Sequence, residues 1–447
     1  MRFDTLADWL AWQETFHAKS IDLGLDRIQA VYERMDLTRP APVVITVGGT
    51  NGKGSCVAFL EAMLRSSGFR VGTYTSPHLL QYNERVTLDG SQATDDEFMA
   101  SFDRVDRSLD DATLTYFEFG TLAAFDLMER TELDIAVLEV GLGGRLDAVN
   151  IIDADCSLIT TIGLDHMDYL GPDRESIGRE KAGIMRGNRP AVCGDREPPQ
   201  SLLDEADRIG ADLKRIGRDF DFELQGDNWS WKTLVGAAFQ PRITDLPKPV
   251  MPGAYQLANA ACCVQALACL SDRIPVGDEA IAKGLRKAVL PGRLQMTQIA
   301  GVEVILDVAH NPQAAASLAS ALDELPERRP QVAVFAQLKD KDHRGVVEAL
   351  QHHFDHWYIA GLDGERGLAG HELAACAADR IDPGNITVCT GARHALDVAI
   401  HATGRRGRVV VFGSFHTVET VAGMVYAAEE KGIAEARMKD ETRETGQ

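Results

Sequence analysis

Apolar and polar positions along the chain alternate between short strand-like runs and longer helix-like stretches. Val43 to Val47 is apolar except for Thr46, the pattern of a strand covered on both faces, and helical spacing follows from Cys56 to Leu64. Strand-like runs recur at 70–75, 134–140, 156–162 and 190–193, separated by helix-like segments at 95–109, 116–129 and 173–185. This rhythm predicts a mostly parallel sheet with helices on both faces. Residues 1–42 read as two helices, one carrying Leu6, Trp9, Leu10 and Trp12, the other spanning 26–35, with a loop at 20–25 between them. Pro40 and Pro42 close that stretch before the first strand.

Residues 212–250 break the rhythm; Trp229, Trp231 and several aspartates there read as a small antiparallel excursion. Helices are expected at 255–270 and 278–289, and Pro291-Gly292-Arg293 then marks a boundary. Beyond it a second alternation begins, with strands at 302–306, 331–336, 357–360, 386–389 and 408–412. Helices fall at 312–325, 345–354, 371–380 and 392–403, and a last one begins at 415. The expected organisation is an N-terminal domain over 1–290, a hinge over 291–296, a smaller α/β domain over 297–430, and a charged, disordered tail over 431–447. A chain of 447 residues exceeds what one core usually serves, which agrees with two domains.

Composition narrows the class. Hydrophobic residues at 45% and charged residues at 25% are ordinary for a soluble globular protein, and no apolar run is long enough to cross a bilayer. Asp4 and Asp8 in the opening stretch exclude a signal peptide. The eight cysteines form no C-x-x-C pair, so neither a zinc site nor a disulfide framework is indicated and a reducing cytoplasm is expected. A net charge of −21 disfavours nucleic acid as a partner; an anionic substrate would need a local basic pocket and bound metal. No exposed apolar helix stands out, so a monomer is expected.

Candidate chemistry begins at Gly48-Gly49-Thr50-Asn51-Gly52-Lys53-Gly54-Ser55, between the first strand and its helix. Glycines let backbone N–H groups approach phosphates, the helix start adds partial positive charge, and Lys53 adds a full one. The spacing departs from the usual phosphate loop: Val47 stands where its first glycine belongs, and Gly54 where its hydroxyl residue belongs. A nucleoside triphosphate, with Mg²⁺, is the ligand this stretch implies. Ligands in such sheets bind at the carboxyl ends of strands. That rule selects Ser76 and His78, Glu139 with the loop through Arg145 and Asp147, Asp165 and His166, and, in the second domain, Asp307, His310-Asn311 and Ser414. Glu139 closes a hydrophobic strand, so it either meets a cation or a donor, or pairs with Arg145. Ser76 reads equally as a turn hydroxyl, His166 as a loop histidine, and Lys181, on a polar helix, as a surface lysine.

Together these loops carry a resemblance. The matching segments are Thr50 to Ser55, Thr75-Ser76-Pro77-His78-Leu79, Leu114 to Gly120, Leu138 to Asp147, Leu164-Asp165-His166 and Gly178 to Gly183. Pro291-Gly292-Arg293, Asp307 to Pro312 and Gly413 to Val418 continue them in order. The sequence resembles the bacterial dihydrofolate synthase/folylpolyglutamate synthase family of the Mur ligase superfamily. The resemblance implies an α/β fold with an N-terminal P-loop-containing, mostly parallel ATPase sheet, a smaller Rossmann-like C-terminal domain, and an active site in the cleft between them. It implies an ATP-dependent ligase that adds L-glutamate to dihydropteroate, and to tetrahydrofolate to form polyglutamates, through an acyl phosphate. Thr50, Asn51, Gly52, Lys53, Gly54, Ser55, Asn259, Arg293 and Asp307 match ATP-binding positions. Ser76, Glu139 and His166 match ligands of two Mg²⁺ ions, and Lys181 matches a carbamylated lysine. With Lys53 and His166, Lys181 is also expected to serve catalysis. Asp22, Leu23, Thr115, Tyr116, Phe117, Glu118, Arg145, Leu146, Asp147 and Ala148 match the dihydropteroate pocket; His310 and Ser414 resemble glutamate-side residues.

Three alternatives remain at this level. A cell-wall ligase of the same superfamily would carry a nucleotide-sugar domain ahead of the phosphate loop, where only 47 residues stand before Gly48. A single-activity folylpolyglutamate synthase would lack the dihydropteroate reaction, which the loop at Asp22-Leu23 and Asp147 favour. A nucleotide switch would need an Asn-Lys-x-Asp guanine-reading motif, which is absent.

Overall fold

The computed structural model describes residues 1–234 and 242–426. The expected disordered tail over 431–447 lies outside them. The chain divides into two compact units, one comprising Met1–Val250 and Tyr255–Leu290, the other Met251–Ala254 and the chain from Pro291 onward.

The first unit opens with helices α1 (Leu6–Phe16) and α2 (Asp26–Arg34). Thr5 caps α1 by accepting from the Asp8 amide, and Leu6 and Trp9 turn inward. Next come β1 (Val43–Gly48), α3 (Lys53–Ser66), β2 (Val71–Tyr74), β3 (Val86–Leu88), β4 (Ser91–Gln92), α4 (Asp95–Arg107), α5 (Tyr116–Arg130) and β5 (Ile135–Glu139). The unit continues with β6 (Cys156–Ile159), α6 (Met167–Leu170), α7 (Arg174–Ala182), β7 (Pro190–Cys193), α8 (Gln200–Ile209) and β8 (Asp212–Arg215). It ends with β9 (Phe220–Gln225), β10 (Asn228–Thr233), β11 (Arg242–Pro247), α9 (Tyr255–Cys269) and α10 (Asp278–Lys287).

Its main sheet has the order β4-β3-β2-β5-β1-β6-β7-β8. The six strands from β2 to β8 run parallel, while β3 and β4 add an antiparallel edge. β1, buried at every position, lies between β5 and β6, so the loops after these three strands open at one end of the sheet. Trp9, Phe98, Phe102, Phe119 and Tyr82 pack as one aromatic cluster beside the sheet, burying the apolar faces of α1, α4 and α5.

The excursion is shorter than the sequence pattern suggests. Residues 212–215 form β8, a parallel edge strand paired with β7, and the separate three-stranded antiparallel sheet is made by β9, β10 and β11. An edge strand reading Asp-Leu-Lys-Arg has one apolar residue, so its period is hidden. Helix α8 and the β3–β4 hairpin are not among the elements the pattern predicts; the hairpin strands are too short to show alternation.

The second unit contains β12 (Gln295–Ile299), β13 (Val302–Leu306), α11 (Pro312–Glu324), β14 (Gln331–Phe335), α12 (His343–Leu350) and β15 (His356–Ala360). After these come α13 (Gly370–Ala377), β16 (Ile386–Cys389), α14 (Ala392–Thr403), β17 (Arg408–Phe412) and a helix described over 415–426. Its sheet has the order β12-β13-β17-β14-β15-β16, parallel except for β12. Gln295 and Met296, assigned to a hinge from sequence, already pair with β13, so the connector is shorter than 291–296. Phe335, Phe354, Trp357 and Phe412 centre its core.

Candidate active site

The loop after β1 is fixed by the segment after β6. The Thr50 amide donates to the Thr161 carbonyl at 2.7 Å, the Thr50 hydroxyl accepts from the Gly163 amide at 3.0 Å, and the Thr160 hydroxyl donates to the Asn51 carbonyl at 2.6 Å. The glycines are there because side chains would not fit. A Cβ on Gly49 would lie 1.9 Å from Thr160 Oγ1, and one on Gly52 would lie 2.7 Å from Asn259 Oδ1. Gly52 takes φ +91° and starts α3 with no side-chain cap and no acid in the first turn. The helix start therefore keeps its orphan N–H groups and partial positive charge for a ligand. Lys53 Nζ lies back on the loop, donating to the Gly49 and Thr50 carbonyls at 3.2 Å. Ser55 is buried; its hydroxyl accepts from Gln256, which in turn accepts from Asn259.

The strands flanking β1 bring Ser76 and Glu139 together. Glu139, 5% exposed at the end of β5, accepts from the Ser76 amide at 3.1 Å and lies beside Gly54 at the start of α3. Arg145 does not meet it: its guanidinium pairs with Glu180 at 2.9 Å. His166 follows β6 in a left-handed conformation, with its amide on Asp165 Oδ1 at 2.9 Å.

Lys181 is not a surface lysine. The loop carrying Arg145 docks on the last turn of α7, with the Arg145 amide donating to the Glu180 carbonyl at 2.8 Å, and the Lys181 side chain is enclosed at 4% exposure. Its ammonium makes no ion pair or hydrogen bond among the described residues. Burial and then repulsion from Lys53 bring it down to about 7, against the attraction of Asp165 and Asp147. Asp147 shows the opposite shift. Burial pushes its carboxyl up to about 7, although it accepts from the Leu142 and Val149 amides at 2.8 and 3.0 Å and feels Lys53. The next residue, Ala148, is buried, and Leu146 is half-buried.

A separate polar network joins the loop after α1 to the start of α5. Asp22 takes Lys19 at 3.0 Å, Arg27 at 2.8 Å and His17 at 3.3 Å, and Leu23 beside it is half-buried. Arg27 also reaches Glu118 at 3.1 Å. Glu118 and Thr115 form a reciprocal capping box on α5, so the polar atoms of both are used by the helix they start. Tyr116 and Phe117 remain half-buried; burial foremost raises the Tyr116 hydroxyl to about 12, opposed by Arg85.

In the second unit Asp307 closes β13 and accepts from the Leu294 and Ala309 amides at 2.8 Å each. Burial raises its carboxyl above the usual range, opposed first by Arg293, whose guanidinium stacks 5.1 Å from the Phe415 ring. His310 donates from Nδ1 to the Val308 carbonyl at 2.8 Å. Ser414 is buried and its hydroxyl accepts from the Thr417 amide at 3.0 Å, as a cap for the helix at 415–426.

Two family models match this chain. The Mur ligase middle domain covers 47–267, and the Mur ligase glutamate ligase domain covers 292–415. The dihydrofolate synthase/folylpolyglutamate synthase of Escherichia coli K12 is 41% identical over 96% of this chain and 97% of its own length. The chain belongs to the dihydrofolate synthase/folylpolyglutamate synthase family of Mur ligases. The solved structure of E. coli FolC in complex with DHPP and ADP superposes with a TM-score of 0.88 at 41% identity, covering 95% of this chain and 98% of that one. The bifunctional enzyme from Yersinia pestis, complexed with AMPPNP and a Mn ion, gives 0.86 at 43% identity with the same coverage. As a member of this family the chain is an ATP-dependent ligase that uses a divalent cation.

The donor set fits such a cation. Among the described residues no cluster of three or more His, Cys, Asp or Glu side chains forms a closed metal cage. One hydroxyl and one buried carboxylate beside a phosphate loop are the sparse protein set that Mg²⁺ accepts when water and phosphate oxygens complete its shell. The family's sequence motifs did not single out Thr160, Thr161, Arg27 or Arg85. Thr160 and Thr161, at the carboxyl end of β6, were within reach of the strand-end rule. Nothing in the sequence marks Arg27 or Arg85.

Proposed function

We propose that this ligase adds L-glutamate to dihydropteroate, forming dihydrofolate, and to tetrahydrofolate, forming folylpolyglutamates. The observation that carries the reading is the uncapped start of α3, with Lys53 in its first turn and Glu139 beside it. The relatives named above support the choice of substrates. A carboxylate is a poor acyl donor, so it is first phosphorylated by ATP; the glutamate amine then adds to the acyl carbon, and phosphate leaves as the amide forms. Lys53 and the amides of Thr50 to Ser55 would bind and orient the phosphates, with Asn259, Arg293 and Asp307 also assigned to ATP. Ser76, Glu139 and His166 would hold two Mg²⁺ ions. The bound cations would neutralise charge on the phosphates.

Lys181 is assigned a carbamate. An amine that is substantially neutral near pH 7 can add to CO₂, losing one proton and becoming an anion. Asp22, Leu23, Thr115 to Glu118 and Arg145 to Ala148 are assigned to the pteroate side, and His310 and Ser414 to glutamate. The eight unpaired cysteines support a reducing compartment, and a cytoplasmic monomer is our reading.

The test is phosphate release with ATP, L-glutamate and, separately, dihydropteroate, tetrahydrofolate and a muramyl peptide. Turnover with both pteridines is expected. Turnover with the muramyl peptide alone would overturn the folate reading, and turnover with tetrahydrofolate alone would leave a single-activity enzyme.

A further inference from the structure

Arg85 is 7% exposed, and no carboxylate pairs with it among the described residues. A guanidinium that stays charged at that depth needs compensation. Here it comes from neutral groups: Tyr74 at the end of β2, and side chains on two different loops. Arg85 Nε donates to His78 Nδ1 at 2.9 Å, and its Cζ lies 5.1 Å from the Tyr82 ring and 5.4 Å from the Tyr116 ring. His78 belongs to the loop carrying Ser76, whereas Tyr116 opens α5 in the segment assigned to the pteroate side. The ring of Tyr82 touches both, at 5.7 Å from His78 and 5.9 Å from Tyr116.

The backbone around Arg85 grips the first loop further. Its carbonyl accepts from the Thr75 amide at 2.8 Å, on one side of Ser76. On the other side, the Glu84 carboxylate accepts from the Leu79, Leu80 and Gln81 amides at 2.6, 2.8 and 2.8 Å. The loop that presents Ser76 to Glu139 is thus held at both ends by residues 84 and 85. The same guanidinium that reaches its middle also packs against the start of α5.

We propose that Arg85 is a positioning residue that couples the Ser76 loop to the N-terminal turn of α5, so that occupancy of the phosphate side is felt on the pteroate side. This rests on the functional reading above. Glu84 secures the loop; Arg85 links it to α5. An ion pair would have tied Arg85 to one partner, whereas stacking on two rings, the His78 acceptor and the nearby Tyr74 hydroxyl let it serve both loops. Displacement of the loops relative to one another by about 1 Å suffices to cost roughly 100-fold in rate.

The experiment measures dihydropteroate affinity by calorimetry with and without ADP, in the absence of metal, for the wild type, Arg85→Gln and Arg85→Lys. In the wild type ADP is expected to change the dihydropteroate Kd about tenfold, a usual size for coupling between sites. In Arg85→Gln the two ligands should still bind with unchanged stoichiometry, and the coupling should fall to about unity. Arg85→Lys retains charge but lacks the planar fork, so it should recover at most part of the coupling. Turnover should show kcat falling about 10- to 100-fold with KM values within about threefold. Wild-type coupling that persists in both variants, or is absent from the wild type, overturns the proposal. Failure of the wild type to bind dihydropteroate overturns the functional reading instead. Should Arg85→Gln not fold, Arg85→Lys and His78→Ala, which removes the imidazole acceptor, carry the same comparison.

Discussion

Helices α3 and α5 begin at neighbouring parts of the same unit and treat their first turns in opposite ways. Helix α3 starts at Gly52 with no cap and no acid. Helix α5 starts at Thr115 with a full capping box, and Glu118 is further held by Arg27. Both starts lie in matching family segments, so motif membership does not separate them. What separates them is whether the polar groups are already satisfied. The uncapped start leaves amides for an anion. The capped one leaves Tyr116 and Phe117, both half-buried, beside it, so under the proposed pteroate assignment recognition there would depend on ring surface rather than on the helix end. The same distinction divides Lys181, whose amine finds no partner among the described residues, from Asp147, whose carboxylate holds the turn into residues 148–151.

The sharpest way to break this comparison is Lys53→Ala. If α3 is the open start, both ligase activities should fall together by about 1000-fold or more, roughly 4 kcal/mol of transition-state stabilisation, read as phosphate release. Survival of one activity would mean that the two do not share this loop. Lys181→Ala should cost about 100-fold, and short carboxylic acids added to the assay should restore part of it. A variant as active as the wild type would leave Lys181 with a packing role only.

Asp147 tests the other side through stability. Its folded carboxyl titrates at about 7, against a reference value of 3.8. Between those values the folded chain holds a proton that the unfolded chain has released, so stability should fall as pH rises from about 4 to about 7 and level off above. Asp147→Asn should flatten that slope in thermal melts recorded across the window. It should also lose about 1 kcal/mol at low pH, because one of the two amides now met by the carboxylate loses its acceptor. Lys181 gives the converse sign: its folded amine titrates at about 7 and its reference value is 10.5, so its contribution raises stability as pH climbs between them. The smallest effect belongs to Thr115→Ala. Loss of the α5 cap should cost about 1 kcal/mol in denaturant unfolding and leave the KM for ATP unchanged.

Much of the fold was legible because burial imposes a period. β1, β5 and β6 are largely apolar runs that the pattern marks as strands; their order in the sheet came only from the structure. The phosphate loop was legible because its glycines have no substitute: Gly49 and Gly52 face Thr160 and Asn259 too closely for any side chain. β8 and the β3–β4 edge were not legible, since edge strands carry polar residues and short ones show no alternation. Lys181 misled by position, because a polar helix is exposed only until another loop packs on it.

By itself, then, the sequence determined the two alternating α/β patterns, the phosphate loop, and the set of strand-end residues. Each depends on local spacing or on a residue type with no replacement. Only the tertiary structure decided which of those residues keep polar groups for a ligand, how deeply Lys181 and Asp147 are enclosed, and that Arg85 stands between His78 and Tyr116, which lie 38 positions apart in the chain. Burial and hydrogen-bond partners are set by contacts between distant parts of the chain, and no local pattern encodes them.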